Sequence, residues 1–213
     1  MDFISKEIEK YCVDNSKAID PILEKLERET QLKVMRPRML SGKLQGKFLE
    51  QMTLMSKAIN ILEIGTYTGY SALCMASVLP DNGVLHTIDI NAELETIANK
   101  YFKLADLDHK IVMHIGNALD IIPKLDINFD LVFMDADKYN YTNYYDILID
   151  KLPSGAWILA DNVLWSGKVL DIESNNDRET IAIDQFNKKV TKDPRVDNLL
   201  LPLRDGVMMI RKK

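Results

Sequence analysis

From residue 59 onward the chain alternates short apolar runs with amphipathic stretches, and this alternation restricts its fold more than any other feature. The apolar runs are "INILEIG" (59–65), "GVLHTIDI" (83–90), "IVMHIG" (111–116), "FDLVFMDA" (129–136) and "GAWILADN" (155–162). Between them lie segments of helical period such as "AELETIANKYFKLA" (92–105), which sets Leu94, Ile97, Ala98, Tyr101 and Phe102 on one face. Strand and helix in strict alternation predict a mostly parallel sheet with helices on both faces. The end of the chain differs. There "NLLLPL" (198–203) and "GVMMIRK" (206–212) bracket Arg204-Asp205-Gly206, a turn signal that predicts an antiparallel hairpin. The expected fold is therefore α/β, a doubly wound, Rossmann-like sheet of seven strands closed by that hairpin.

Residues 1–57 read as a helical lead-in to an α/β core spanning 58–213. Apolar residues at positions 4, 8, 11, 12, 18, 19, 22, 23 and 26 keep helical spacing, interrupted at Asp20-Pro21, a cap and first-turn restart. A kinked, charged segment, "KVMRPRMLSGKLQG" (33–46), passes into a further helix carrying Leu44, Phe48, Met52 and Met55. With 213 residues, 46% of them hydrophobic, and no repeat or linker, one domain over 1–213 is expected.

Composition excludes several functions. The net charge is −5 and basic residues are scattered among acids, so neither nucleic acid nor a membrane surface is an expected partner. No apolar run approaches the roughly 18 residues of a membrane span. Cys12 and Cys74 lie far apart with no secretory segment ahead of them, which predicts a reducing, cytoplasmic setting. His86, His109 and His114 share no metal-ligand spacing and read as solvated loop or sheet-edge residues. A GxSxG elbow and a Cys/His cluster are both missing, which removes serine-hydrolase and zinc readings.

In open α/β sheets, ligands bind outside the carboxyl ends of the strands. Four of the five parallel runs end in an acid: Glu63, Asp89, Asp135 and Asp161. Carboxylates gathered on one rim repel each other and call for a cationic or hydrogen-bonding ligand. The first turn, "EIGTYTGYSAL" (63–73), has Gly65 and Gly69 in an ExGxxxG pattern, not the GxGxxG of nicotinamide-dependent oxidoreductases. Asp89, in "TIDIN" (87–91), is placed to accept both hydroxyls of a ribose.

The strings "LEIGTYTGYSAL", "TIDIN", "GNALDIIP", "FMDADKYNY" and "ADNVLWSG", in that order and spacing, resemble the class I S-adenosylmethionine-dependent O-methyltransferases, in particular the cation-dependent caffeoyl-CoA and catechol-type group. The likeness covers roughly residues 35–211. It implies Glu63, Gly65 and Ser71 at the methionine end of S-adenosylmethionine, Asp89 on its ribose and Ala118 on its adenine. It also implies Asp137 near the cofactor's amino group, with Met39 and Ser41 lining its other side. Asp135 is assigned to both cofactor and metal, beside Asp161 and Asn162. Two carboxylates and an amide make a hard oxygen set suited to Mg²⁺, with Mn²⁺ and Ca²⁺ as alternatives, and leave coordination positions open.

The implied acceptor is a small phenolic with adjacent hydroxyls, and Lys138 is the implied general base. Trp165 is the implied stacking partner of the substrate ring. Ser166 stands where the family often has asparagine, so the acceptor range is expected to differ. Tyr139, Tyr141, Tyr144 and Tyr145 read mainly as packing. The polar stretch 166–180 reads as a surface loop, a lid or a dimer edge, and a homodimer is implied. A non-catalytic binder of the same fold would show damage at the metal positions or at Lys138, and all of these are intact.

Overall fold

A computed structural model describes residues 4–213; the first three residues of the lead-in lie outside the described residues. Seven strands form one sheet: β1 Asn60–Ile64, β2 Val84–Asp89, β3 Ile111–Ile115, β4 Leu131–Met134, β5 Trp157–Asp161, β6 Val196–Leu201 and β7 Val207–Lys212. Their order is β3-β2-β1-β4-β5-β7-β6. The first five are parallel, and β7 runs antiparallel to both β5 and β6, as the hairpin signal predicts. Strand order reverses between β1 and β4, the place where such sheets open a ligand crevice.

Two apolar cores flank the sheet. On one face, Ile61, Leu85, Leu131 and Phe133 pack beneath α2 (Pro21–Lys33), α3 (Gly42–Ser56), α4 (Tyr70–Ala76) and α5 (Glu95–Leu104). On the other, Leu62, Ile64, Val132 and Ile158 meet α6 (Ala118–Ile121), α7 (Tyr141–Lys151) and α8 (Arg178–Lys192). Side chains two apart on a strand share a face, so Ile61 and Leu62 divide cleanly between the layers. Glu63 falls on the same face as Ile61, opposite Thr87 in register, a polar pair set into an apolar layer. A shorter helix, α1 (Lys6–Asp14), rests against α3 and buries no residue fully.

Local signals explain several boundaries. Asp20 caps α2, accepting a hydrogen bond from Ile22 N at 2.8 Å, with Pro21 in the first turn, so the lead-in restarts as expected. Among the described residues, no helix is long and apolar enough to cross a membrane.

Three expectations need correction. Glu63 is the penultimate residue of β1 and not its end, and Asp135 lies one residue beyond β4. The polar stretch 166–180 is not loop throughout: Asp177 caps α8 and Thr180 is buried. His86 lies within the sheet on β2, half-buried and stacked on His114 of the edge strand β3, Nδ1 to Nε2 3.0 Å, and burial holds both below the usual histidine range.

Candidate active site

The turn after β1 builds the floor of a cleft at the carboxyl rim. Gly65 has φ +103°, and its N–H donates to the Ile88 carbonyl at 2.9 Å. A Cβ at this position would lie 2.0 Å from the Asp135 carbonyl oxygen, so only glycine lets the β1 and β4 ends approach this closely. Five sequence-predicted residues line this one cleft: Met39, Ser41, Gly65, Ser71 and Asp135. Tyr67 and Tyr70 line it with them. The Tyr67 hydroxyl donates toward the carbonyls of Met35 and Arg36 at 3.3 Å, which ties the 35–41 segment over the turn.

Glu63 lies beneath this cleft, fully buried. Its Oε2 accepts from the Thr87 hydroxyl, which in turn bonds the Thr66 hydroxyl. Its Oε1 has no hydrogen-bond partner among the described residues. Burial pushes this carboxyl up to about 8, with the Ser71 and Thr87 hydroxyls opposing. Asp89 is anchored through both oxygens: Oδ2 accepts from Tyr67 N at 2.7 Å and Oδ1 from Asn91 N at 2.8 Å. The last acid of β2 is thereby fastened to the turn that lines the cleft.

Across the switch point stands a charged cluster. Met134 pairs with Ala160 in the β4–β5 register, so Asp135 and Asp161, each one residue further on, end side by side. Asp161 is buried, and its Oδ1 has no hydrogen-bond partner among the described residues. Burial pushes its carboxyl up to about 6, the Asp135 charge adds to this, and Lys138, the Gln45 amide and Arg204 oppose it. Lys138 is also buried; its Nζ donates to Asp135 Oδ1 at 2.8 Å and to the Tyr141 hydroxyl at 2.6 Å. The Tyr141 hydroxyl is held 2.9 Å from the backbone carbonyls of both Met134 and Asp161.

Asn162 follows with φ +61°, a left-handed conformation that asparagine tolerates well. Asp137 is exposed and accepts from the Tyr144 hydroxyl and from Asn140 Nδ2, both at 2.5 Å. Asp135 and Asp161 thus bring carboxylates together around an orphaned, buried oxygen, with the Asn162 amide next in sequence, donor types that would fit a hard divalent cation. An exposed cluster of Asp106, Asp108 and His109 precedes β3, at the opposite end of the sheet from this rim.

Other sequence-predicted residues do not line the same cleft. Ala118 opens α6 beyond β3, buried against the second core. Trp165 packs on that core too, and exposed Ser166 is held by its backbone N–H, which donates to Asp205 Oδ1 at 2.5 Å. Three residues in the cluster carry no sequence-predicted site role. Tyr141 reads as packing but fixes Lys138. Gln45 sits beside Asp161, and Arg204, read only as part of a turn, grips Gln45 and the Ser41 carbonyl.

The O-methyltransferase family model matches residues 13–213. A caffeoyl-CoA O-methyltransferase of Petroselinum crispum is 37% identical over 179 residues, covering 79% of this chain and 74% of its own. That of Eucalyptus globulus, caffeoyl-CoA O-methyltransferase 2, is also 37% identical over 179 residues, with 79% and 72% covered. Among solved structures, the S-adenosylmethionine complex of TomG, a Streptomyces achromogenes O-methyltransferase, superposes with TM-score 0.90 at 27% identity, covering 97% of this chain and 96% of that one. The S-adenosylhomocysteine-bound methyltransferase PaMTH1 of Podospora anserina gives 0.90 at 30%, with 97% and 94% covered. On a family match that spans nearly the whole chain and a shared fold, the chain belongs to the O-methyltransferase family, as an S-adenosylmethionine-dependent enzyme of the caffeoyl-CoA O-methyltransferase type.

Proposed function

We propose that this protein moves the methyl group of S-adenosylmethionine to one hydroxyl of a small catechol-type phenolic, in a reaction that requires a divalent cation, Mg²⁺ first among the candidates. The observation that carries this reading is the in-register meeting of Asp135 and Asp161, with a buried Asp161 oxygen left without a partner. Two adjoining carboxylates repel, and a cation between them removes that repulsion. Asp135, Asp161 and Asn162 hold the ion, which supplies positive charge and a point of attachment for an acceptor with adjacent hydroxyls.

Gly65 and Ser71 border the methionine end of the methyl donor, with Glu63 beneath it, and Met39 and Ser41 line its other side. Asp89 takes the ribose hydroxyls, Ala118 borders the adenine, and Asp137 lies toward the donor's amino group. Lys138, held in place by Tyr141, accepts the proton of the acceptor hydroxyl at Nζ. The new oxygen–carbon bond forms as the sulfur–carbon bond breaks, and S-adenosylhomocysteine leaves. Most of the acceleration comes from holding the two partners close and in line. Trp165 and Ser166 border the acceptor. Residues 1–213 act as one domain, working as a homodimer in the cytoplasm, without nucleic-acid or membrane partners.

The test is methyl transfer followed by mass spectrometry, with metal-stripped protein, S-adenosylmethionine and a panel of catechols such as caffeic acid, with and without Mg²⁺. A gain of one methyl group that appears only with Mg²⁺ is the expected result. Equal product without the cation would overturn metal dependence, and no product on any catechol would overturn the acceptor class.

A further inference from the structure

We propose that Gln45 and Arg204 are a positioning pair that sets the Asp161 carboxylate and couples it to the segment covering the methyl-donor cleft. This inference rests on the reading that Asp135, Asp161 and Asn162 hold a divalent cation. Gln45 lies in the first turn of α3 and is fully buried. Its Oε1 accepts a hydrogen bond from Arg204 Nη1, which settles the orientation of the amide. With Oε1 committed, the remaining polar group is the Nε2 amino group. That group has no hydrogen-bond partner among the described residues, and neither has Asp161 Oδ1. A buried hydrogen-bond donor and a buried acceptor stand together without closing, the Gln45 amide beside the Asp161 carboxylate. A donor held beside a carboxylate restrains how that carboxylate can turn, and Oδ1 itself stays open to the cation.

Arg204 ties this contact to the rest of the site. It sits in the turn between β6 and β7 with φ +50°, a left-handed conformation that disfavours a long side chain. Its guanidinium donates to the Ser41 and Leu40 carbonyls as well as to Gln45. Ser41 and Leu40 line the cleft. Next to it, Asp205 accepts from Ser166 N, on the loop that follows Asp161 and Asn162. Gly206 completes the turn against Leu164, where a Cβ would come within 2.5 Å of that side chain. The hairpin turn therefore grips both walls of the site, with Gln45 as its extension to Asp161.

The test uses the full-length protein, titrated calorimetrically with Mn²⁺ alone and with S-adenosylhomocysteine alone, with thermal unfolding as a control for folding. For Gln45→Met, close in volume, Mn²⁺ affinity falls roughly ten- to a hundredfold while S-adenosylhomocysteine affinity stays within about threefold, the pattern of a lost outer-sphere partner. Arg204→Lys keeps the positive charge but loses the two-armed grip, and weakens both ligands. In the double variant the Mn²⁺ loss is no greater than in Gln45→Met alone, because Arg204 acts on the ion through Gln45. Unchanged Mn²⁺ affinity in Gln45→Met, or losses that simply add in the double variant, would overturn the pair. If Gln45→Met does not fold, Arg204→Lys decides: unchanged Mn²⁺ affinity there overturns the inference, and a loss with an unshifted melting temperature upholds it. Failure of the unmutated protein to bind Mn²⁺ would instead overturn the cation reading, and this inference with it.

Discussion

Lys138 Nζ and Asp135 Oδ1 lie 2.8 Å apart, three residues apart in sequence at the junction of β4 and the helix that follows. Both belong to the rim, yet the lysine side chain is only 7% exposed, so the ammonium is enclosed by the groups it touches. Tyr141 fixes it from the far side, with the ring centroid 4.8 Å from Nζ. On the proposed reading, a cation that took up Asp135 would leave Lys138 anchored by Tyr141 and open to the acceptor hydroxyl.

Lys138→Met therefore separates proton transfer from binding. Turnover on a catechol falls roughly 10²- to 10⁴-fold, the usual contribution of a positioned general base. Calorimetric binding of Mn²⁺ and of S-adenosylhomocysteine persists. A fall of less than about tenfold would leave Lys138 with an orienting role only.

Asp161→Ala divides the site in the other direction. It removes the buried carboxylate whose Oδ1 lacks a partner, so cation-dependent turnover is abolished and Mn²⁺ binding is lost. Met39, Gly65 and Ser71 line the cleft on the other side of Asp135, so S-adenosylhomocysteine affinity is largely kept. Equal loss of both ligands in the two titrations would show that the division into metal and methyl-donor regions is wrong.

Asp89→Ala has the converse effect. Both carboxylate oxygens are already oriented by the backbone N–H groups of Tyr67 and Asn91, so the acid meets a ribose without rearrangement. Loss of charge-assisted hydrogen bonds weakens S-adenosylhomocysteine binding by roughly ten- to a hundredfold, with Mn²⁺ affinity unchanged. Unaltered affinity for S-adenosylhomocysteine would take Asp89 out of the ribose contact.

Much of this architecture is legible along the chain because its signals are local. Short apolar runs, helical stretches between them and the Arg204-Asp205-Gly206 turn each depend on neighbours a few residues away, and together they predict the parallel strands and the terminal hairpin found. The rim acids were visible for the same reason, since strand ends can be read from where an apolar run stops. The links between them were not. Arg204 and Gln45 are 159 residues apart and join only because the hairpin returns beside α3. Tyr141 occupies a helical position where an aromatic ordinarily packs, and nothing in its spacing reveals that its hydroxyl bonds Lys138.

The depth of Glu63 makes folding stability depend on pH in a direction that can be worked out. In the unfolded chain its carboxyl titrates near 4.5, and in the native protein burial pushes it up to about 8. Below the lower value both states hold the proton and Glu63 contributes no pH dependence. Between the two values the native state retains a proton that the unfolded chain has released, so the free energy of unfolding falls as pH rises. Above the upper value the loss is complete, on the order of 5 kcal/mol. Glu63→Gln removes this titration while its side-chain carbonyl can still accept from Thr87. Without methyl donor, the variant and the unmutated protein have similar melting temperatures at acidic pH near the lower value, and the variant becomes the more stable by several degrees above the upper one. Asp161, pushed up to about 6, adds a slope of the same sign, but it is common to both proteins and cancels in their difference. Parallel melting curves across this range would mean that Glu63 is ionised in the native state, with its charge met by groups other than Thr87.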